Sequence, residues 1–149
     1  PGQIVISGEA AAVEAAAEQA KQAGAKRCIP LKVSGPFHSA LLAGAGEKLR
    51  TELDAVKIHT PTIPYLSNVT AEPVTDGEGI RELLVKQVSH PVRFRESIER
   101  MLADGVDTFI EIGPGKTLSG FVRKINRDAT VYHIEKPADM EQVMEELAC

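Results

Sequence analysis

The chain has 149 residues, 43% of them hydrophobic and 26% charged, proportions that exclude a disordered tail, a collagen-like repeat and a coiled coil. Its 17 basic and 21 acidic residues leave a net charge of -4, which argues against nonspecific nucleic-acid binding and confines any anionic partner to a local basic patch. No run approaches the roughly 18 uncharged apolar residues that a spanning helix requires, and Pro1-Gly2-Gln3-Ile4-Val5 lacks the layout of a leader peptide, so the expectation is a cytoplasmic protein without a membrane partner.

In chain order, alternation over residues 3–7 predicts a strand, and the alanine-rich run 9–23, with Ala10, Val13, Ala17 and Ala20 on one face and Gly24 behind it, predicts a helix. Residues 27–33 read as a second strand, at an edge or a strand start because Pro30 cannot donate to a ladder. Leu42, Ala45, Leu49, Leu53 and Val56 keep a helical period across 39–56 despite Gly44 and Gly46. Residues 65–69 make a short strand after the extended Pro61 and Pro64 segment. Helices follow at 78–88, barred from continuing by Pro91, and at 94–103, stopped by Gly105. The run 106–112 is the clearest strand, leading through Gly113-Pro114-Gly115-Lys116 into a helix over 117–126. A strand at 130–134 and a helix at 139–147, with Met140, Val143, Met144 and Leu147 on one face, complete an α/β pattern.

Two cysteines, Cys28 and Cys149, make neither a disulfide framework nor a closely spaced metal cluster, and the histidines at 38, 59, 90 and 133 form no short metal motif. No metal is expected. Gly115-Lys116-Thr117 ends like a phosphate-binding loop, but Ile110 stands where that loop needs its first glycine, which leaves a tight turn opening a helix whose N-terminus favours anions. His90, before Pro91, suits a helix end. His38 stands apart, because Ser34-Gly35-Pro36-Phe37-His38-Ser39 sets an imidazole on a stiff turn at the head of a helix, where the neutral, basic ring is favoured. A nucleophile to go with it is missing, since no G-x-S-x-G elbow occurs and Ser39 is its immediate neighbour.

Val33-Ser34-Gly35-Pro36-Phe37-His38-Ser39, Ser67-Asn68-Val69, Gln87, Pro91-Val92-Arg93-Phe94 and Glu111-Ile112-Gly113-Pro114-Gly115-Lys116 occur in an order and spacing that resemble the malonyl-CoA:acyl carrier protein transacylases of bacterial fatty acid synthesis. The resemblance covers the whole chain but only the C-terminal half of that family. It implies an α/β fold comprising the C-terminal part of an α/β-hydrolase-like acyltransferase domain, residues 37–149, preceded by the end of a ferredoxin-like small subdomain, residues 1–36. The half that carries the GHSxGE serine elbow, the arginine pairing with the malonyl carboxylate and the oxyanion hole would lie outside this chain.

The resemblance further implies that His38 is the general base of a ping-pong acyl transfer, with Gln87 and Asn68 at the positions whose carbonyls or amides support the imidazole. Phe37 matches an aromatic that selects malonyl over methylmalonyl. The pairs Lys26-Arg27 and Arg123-Lys124 match cations that meet acyl carrier protein or coenzyme A phosphates, and Arg123 and Arg127 would share a helix face. No cofactor is implied beyond the coenzyme A thioester as substrate, and the partners implied are malonyl-CoA, acyl carrier protein and the N-terminal half. The alternatives within reach are a noncatalytic binding module or inactive fragment derived from an acyltransferase, and a polyketide synthase acyltransferase segment.

Overall fold

The computed structural model describes residues 2–148, so Cys149 lies outside the described residues. The chain divides into two compact units, residues 3–93 and residues 94–148.

In the first unit, helix α1 (Ala10–Gln22) forms where the alanine-rich run predicts it. Gly24, at φ 95, ends it, and the Ala25 N–H returns to the Ala20 carbonyl at 2.9 Å. Its inner stripe, Val13, Ala16, Ala17 and Ala20, is half-buried, and no residue of the helix is fully buried. The strands predicted at 3–7 and 27–33 are absent. A strand exists only as part of a ladder, and among the described residues no segment pairs with either range. Their apolar side chains accordingly stand in solvent, Ile4 at 90% exposure and Ile29 at 68%.

The helix predicted at 39–56 begins as a 3-10 turn (Ala40–Leu42) and continues as α2 (Ala43–Asp54). Strand β1 (Tyr65–Leu66) is shorter than predicted and pairs antiparallel with β2 (Pro73–Val74), which the sequence reading did not find. Pro73 is tolerated there because it opens the strand. Helix α3 (Gly77–Gln87) starts at Asp76, whose carboxylate accepts the Gly79 N–H at 2.6 Å.

Helices α2 and α3 pack antiparallel, because their contacts run in opposite order. Gly46 meets Val85 and Val88, Arg50 forms a two-pronged ion pair with Glu82, and Arg81 donates to the Leu53 carbonyl at 3.2 Å. Gly46 permits the close approach, since a Cβ there would lie 3.1 Å from the Val85 carbonyl oxygen. Its helical cost is therefore a packing requirement, whereas Gly44 meets nothing within 4 Å. Ala71, Val74 and Val85 form the small apolar core.

The second unit holds α4 (Phe94–Ala103), β3 (Thr108–Ile112), α5 (Thr117–Ile125), β4 (Thr130–Ile134) and α6 (Pro137–Ala148). The α4 and β4 limits coincide with the sequence reading, and β3, α5 and α6 shift by one or two residues at their ends. Strands β3 and β4 pair in parallel through the α5 crossover, with Glu111 opposite His133. Ile98, Val122 and Val143 are buried, and Phe94 meets Phe121 edge-on at 6.0 Å. Pro137 opens α6, and Asp139 accepts the Glu135 and Lys136 N–H groups at 2.9 and 2.8 Å, bonds that hold its carboxyl below the ordinary range. On β3, Phe109 and Glu111 are half-buried while Ile110 and Ile112 are exposed, leaving one sheet face bare where a parallel sheet normally has cover on both. On α6 only Val143 of the predicted apolar face is buried.

Candidate active site

His38 enters the site through strained backbone. Its φ is 59, a left-handed value uncommon for a side chain with a Cβ. The turn is built locally, with the Phe37 N–H on the Gly35 carbonyl at 2.9 Å and the Ser39 hydroxyl on the Pro36 carbonyl at 2.7 Å. Because α2 runs antiparallel to α3, the segment just before α2 reaches the C-terminal end of α3. There His38 Nδ1 lies 2.9 Å from the Gln87 main-chain carbonyl. A carbonyl can only accept, so the contact puts the ring proton on Nδ1 and leaves Nε2 as the basic nitrogen of the neutral ring.

Gln87 also acts through its side chain, whose Oε1 accepts from Asn68 Nδ2 at 3.2 Å. Asn68 is held in turn by its own carbonyl, which accepts the Arg93 N–H at 2.8 Å, while the Arg93 guanidinium donates to the Thr70 carbonyl at 2.9 Å. Beneath it Ser67, wholly buried, accepts the Val69 N–H on its hydroxyl at 3.2 Å and returns its carbonyl to the Ala71 N–H at 2.8 Å. Ala71 is the other left-handed side chain of the chain's described residues, at φ 59. The structure thus brings His38, Gln87 and Asn68 together, with a division of labour invisible in the sequence. The main chain of Gln87 serves the imidazole, and its side chain serves Asn68. Phe37 lies beside His38, half exposed, its ring 3.9 Å from the position a Cβ on Gly35 would take.

Two serines near this site are taken up by structure. Ser39 is committed to its turn and Ser67 has no exposed surface.

The basic pairs fare unequally. All four cations are exposed, but Arg123 also donates to the Val131 carbonyl at 2.9 Å and the Lys124 ammonium stands 5.8 Å over the Phe121 ring. Arg127 falls beyond the end of α5, so it does not share a helix face with Arg123.

The anion expected at the N-terminus of α5 proves to be internal. Glu111 accepts the Leu118 N–H at 3.1 Å, the Ser119 N–H at 2.7 Å and the Ser119 hydroxyl at 2.5 Å. The Ser119 hydroxyl, followed by these backbone N–H groups and the charge of nearby His133, holds the Glu111 carboxyl below its ordinary range. The helix end is occupied, which removes the phosphate-loop reading in physical terms as well as by its missing glycine. Sequence reasoning did not single out Arg93, which holds Asn68, or Glu111, which caps α5 in the other unit, although both lie in quoted motifs. His133 Nε2 meets the Gly113 carbonyl at 2.9 Å, and His90 Nδ1 meets the Lys86 carbonyl at 2.8 Å, the helix-end role its position suggested. Among the described residues no cluster of three or more His, Cys, Asp or Glu could hold a metal ion, and no helix is long and apolar enough to cross a membrane.

A malonyl CoA-acyl carrier protein transacylase of Bacillus subtilis is 52% identical to this chain over 147 residues, covering 99% of the chain and 46% of the relative. The crystal structure of an acyl-carrier-protein-S-malonyltransferase from Bartonella henselae superposes with a TM-score of 0.89 at 44% identity, over 95% of this chain and 45% of that one. A type II polyketide-synthase acyl carrier protein in complex with its malonyl-transacylase also matches, at TM-score 0.89 and 37% identity, over 93% of this chain and 45% of the matched chain. The chain therefore spans just under half the length of the relatives it matches. Residues 1–141 match the model of the acyl transferase domain, and with that match running through every element of the His38 site, the chain belongs to the acyl transferase family.

Proposed function

We propose that this chain supplies the general-base portion of a malonyl-CoA:acyl carrier protein transacylase, the nucleophilic serine lying on a segment outside it. The observation that carries this reading is the His38 Nδ1 contact with the Gln87 carbonyl, which leaves Nε2 basic. In the first half-reaction Nε2 takes the serine proton as the oxygen attacks the malonyl thioester. It then delivers that proton to the departing coenzyme A sulfur, leaving a malonyl-serine ester. In the second, Nε2 takes the proton of the carrier's phosphopantetheine thiol as its sulfur attacks the ester, and returns it to the serine oxygen. A carbonyl orients the imidazole but stabilises its cation less than a carboxylate would, which suits a base that must release its proton in each half-reaction.

Phe37 fills the space an added methyl on the acyl group would need, worth about 1 to 3 kcal/mol of preference for malonyl. Lys26-Arg27 and Arg123-Lys124 supply local positive field for an acidic carrier or for coenzyme A phosphates, a partnership supported by the carrier complex of the matched transacylase. No cofactor beyond the thioester substrate enters the scheme, and the working compartment is the cytoplasm. In the assembled fold, residues 1–36 close a ferredoxin-like small subdomain and residues 37–149 return to the large one. That division differs in kind from the packing units of this chain, and the unpaired apolar segments near Ile4 and Ile29 support it.

The test is a fusion that sets the N-terminal half of the Bacillus subtilis relative before this chain. It should transfer malonyl to carrier protein, and His38→Ala should lower kcat by about 100-fold or more. Full transfer by the His38→Ala fusion would refute the assignment. A fusion that binds carrier protein but forms no acyl-enzyme would favour a noncatalytic binding module.

A further inference from the structure

The Gln87 carbonyl is available to His38 for a reason that lies four residues downstream. Within a helix the carbonyl of residue i is taken by the N–H of residue i+4. Past Gln87 the turn first tightens, the Val88 N–H bonding the Val85 carbonyl at 3.3 Å and the Ser89 N–H the Lys86 carbonyl at 3.1 Å, and then returns to the four-residue spacing at His90. Val88 keeps helical dihedrals, at φ -59 and ψ -37, and the His90 N–H bonds the Lys86 carbonyl at 3.0 Å. The next donor in the ladder would be the N–H of residue 91, and its acceptor would be Gln87. Residue 91 is proline and has no N–H. Proline also biases His90 away from continuing the helix, so the turn opens at that point. The Gln87 carbonyl is thereby left as an orphan of the helix end, where the imidazole of His38 takes it at 2.9 Å.

We infer that Pro91 is a positioning residue of the acyltransferase site, keeping the Gln87 carbonyl free of the helix so that it can hold the His38 proton on Nδ1. This deepens the transfer reading given above and rests on it for its catalytic consequence, though not for its structural one. An amide at residue 91 would compete for the carbonyl within its own helix, at no cost of closing a long loop. The imidazole would then lose its fixed tautomer. The Val92-Arg93 step that follows would be displaced as well, and with it the Arg93 N–H that holds Asn68.

The experiment uses the fused enzyme, labelled with ¹⁵N-histidine, carrying Pro91→Ala. Nitrogen shifts of His38, assigned by loss of the signal in His38→Ala, report the tautomer without reference to activity. The expected result is a change from the Nδ1–H form to a mixture with the Nε2–H form. It should be accompanied by a fall in kcat of about tenfold with the KM for malonyl-CoA little changed, since substrate binding does not involve the carbonyl. Pipecolic acid at residue 91, introduced by ligation, is a six-membered analogue of proline that also lacks the N–H, and it should restore the Nδ1–H form. An unchanged His38 tautomer in Pro91→Ala would overturn the inference. So would equal losses with alanine and pipecolic acid, which would assign the effect to ring shape. If instead the tautomer shifts while His38→Ala still transfers malonyl, the positioning role stands and the transfer reading fails.

Discussion

Residues 3–36 and residues 108–148 both carry strand and helix patterns, yet only the second region realises all of its elements. Strands β3 and β4 lie about one crossover apart, and each finds its ladder partner within the chain. The ranges 3–7 and 27–33 also flank a single helix, α1, but they do not pair with each other or with any other described segment. The contrast teaches that an alternating apolar pattern specifies which face a strand will bury, while the hydrogen-bonding partner comes from topology. Where no partner lies among the described residues, the pattern survives as exposed side chains such as Ile4, Ile29, Leu31 and Val33.

Completing the topology should erase that contrast, and this is the largest effect expected. In the fused enzyme, amide hydrogen exchange over residues 3–7 and 27–33 should slow by at least about 100-fold relative to the chain alone. Amides of 108–112 and 130–134, already in a ladder, should change far less. Equal slowing in both regions would mean that β3 and β4 also depend on the added half. Fast exchange persisting at 3–7 would mean that its partner is not in that half.

A second effect sharpens the account of the region between them. Gly46→Val should force α2 away from α3 at the Val85 carbonyl and cost about 1 to 3 kcal/mol in urea unfolding of the fused enzyme, whereas Gly44→Val, with open space around it, should cost less. The same displacement should lower kcat, because the α2–α3 pairing is what delivers His38 to Gln87. The smallest effect concerns acid stability in the other unit. Glu111 is held below its ordinary range in the fold, so its contribution is complete above that range and is lost as pH falls through the depressed folded value. The parent should therefore lose Tm more steeply than Glu111→Gln on acidification, and parallel Tm profiles would contradict the capping role.

Much of this was legible in the sequence where the signal is local. Phe94–Ala103 is bounded by Pro91 and Gly105, and Thr130–Ile134 by polar turns, so their ends could be read directly. Strand β2 escaped notice because two residues beginning with proline carry no periodicity. The 3-10 opening of the helix at Ala40 and the left-handed backbone of His38 depend on the turn that precedes them, which propensity does not encode. At the site, the motifs identified His38, Gln87 and Asn68 but not which oxygen of Gln87 meets the imidazole, because that depends on the antiparallel register of α2 and α3. The spacing of Gln87 and Pro91 was visible throughout. That the His90 N–H still reaches the Lys86 carbonyl, and that an imidazole lies at the helix end, was not.

The central claim is that this chain brings the base and not the nucleophile. Intact and peptide mass spectrometry of the fused enzyme, quenched in acid after brief exposure to malonyl-CoA, tests it most directly. The account predicts a single malonyl adduct on a peptide outside residues 1–149, diminished in His38→Ala. A malonyl ester on a serine of this chain would contradict it.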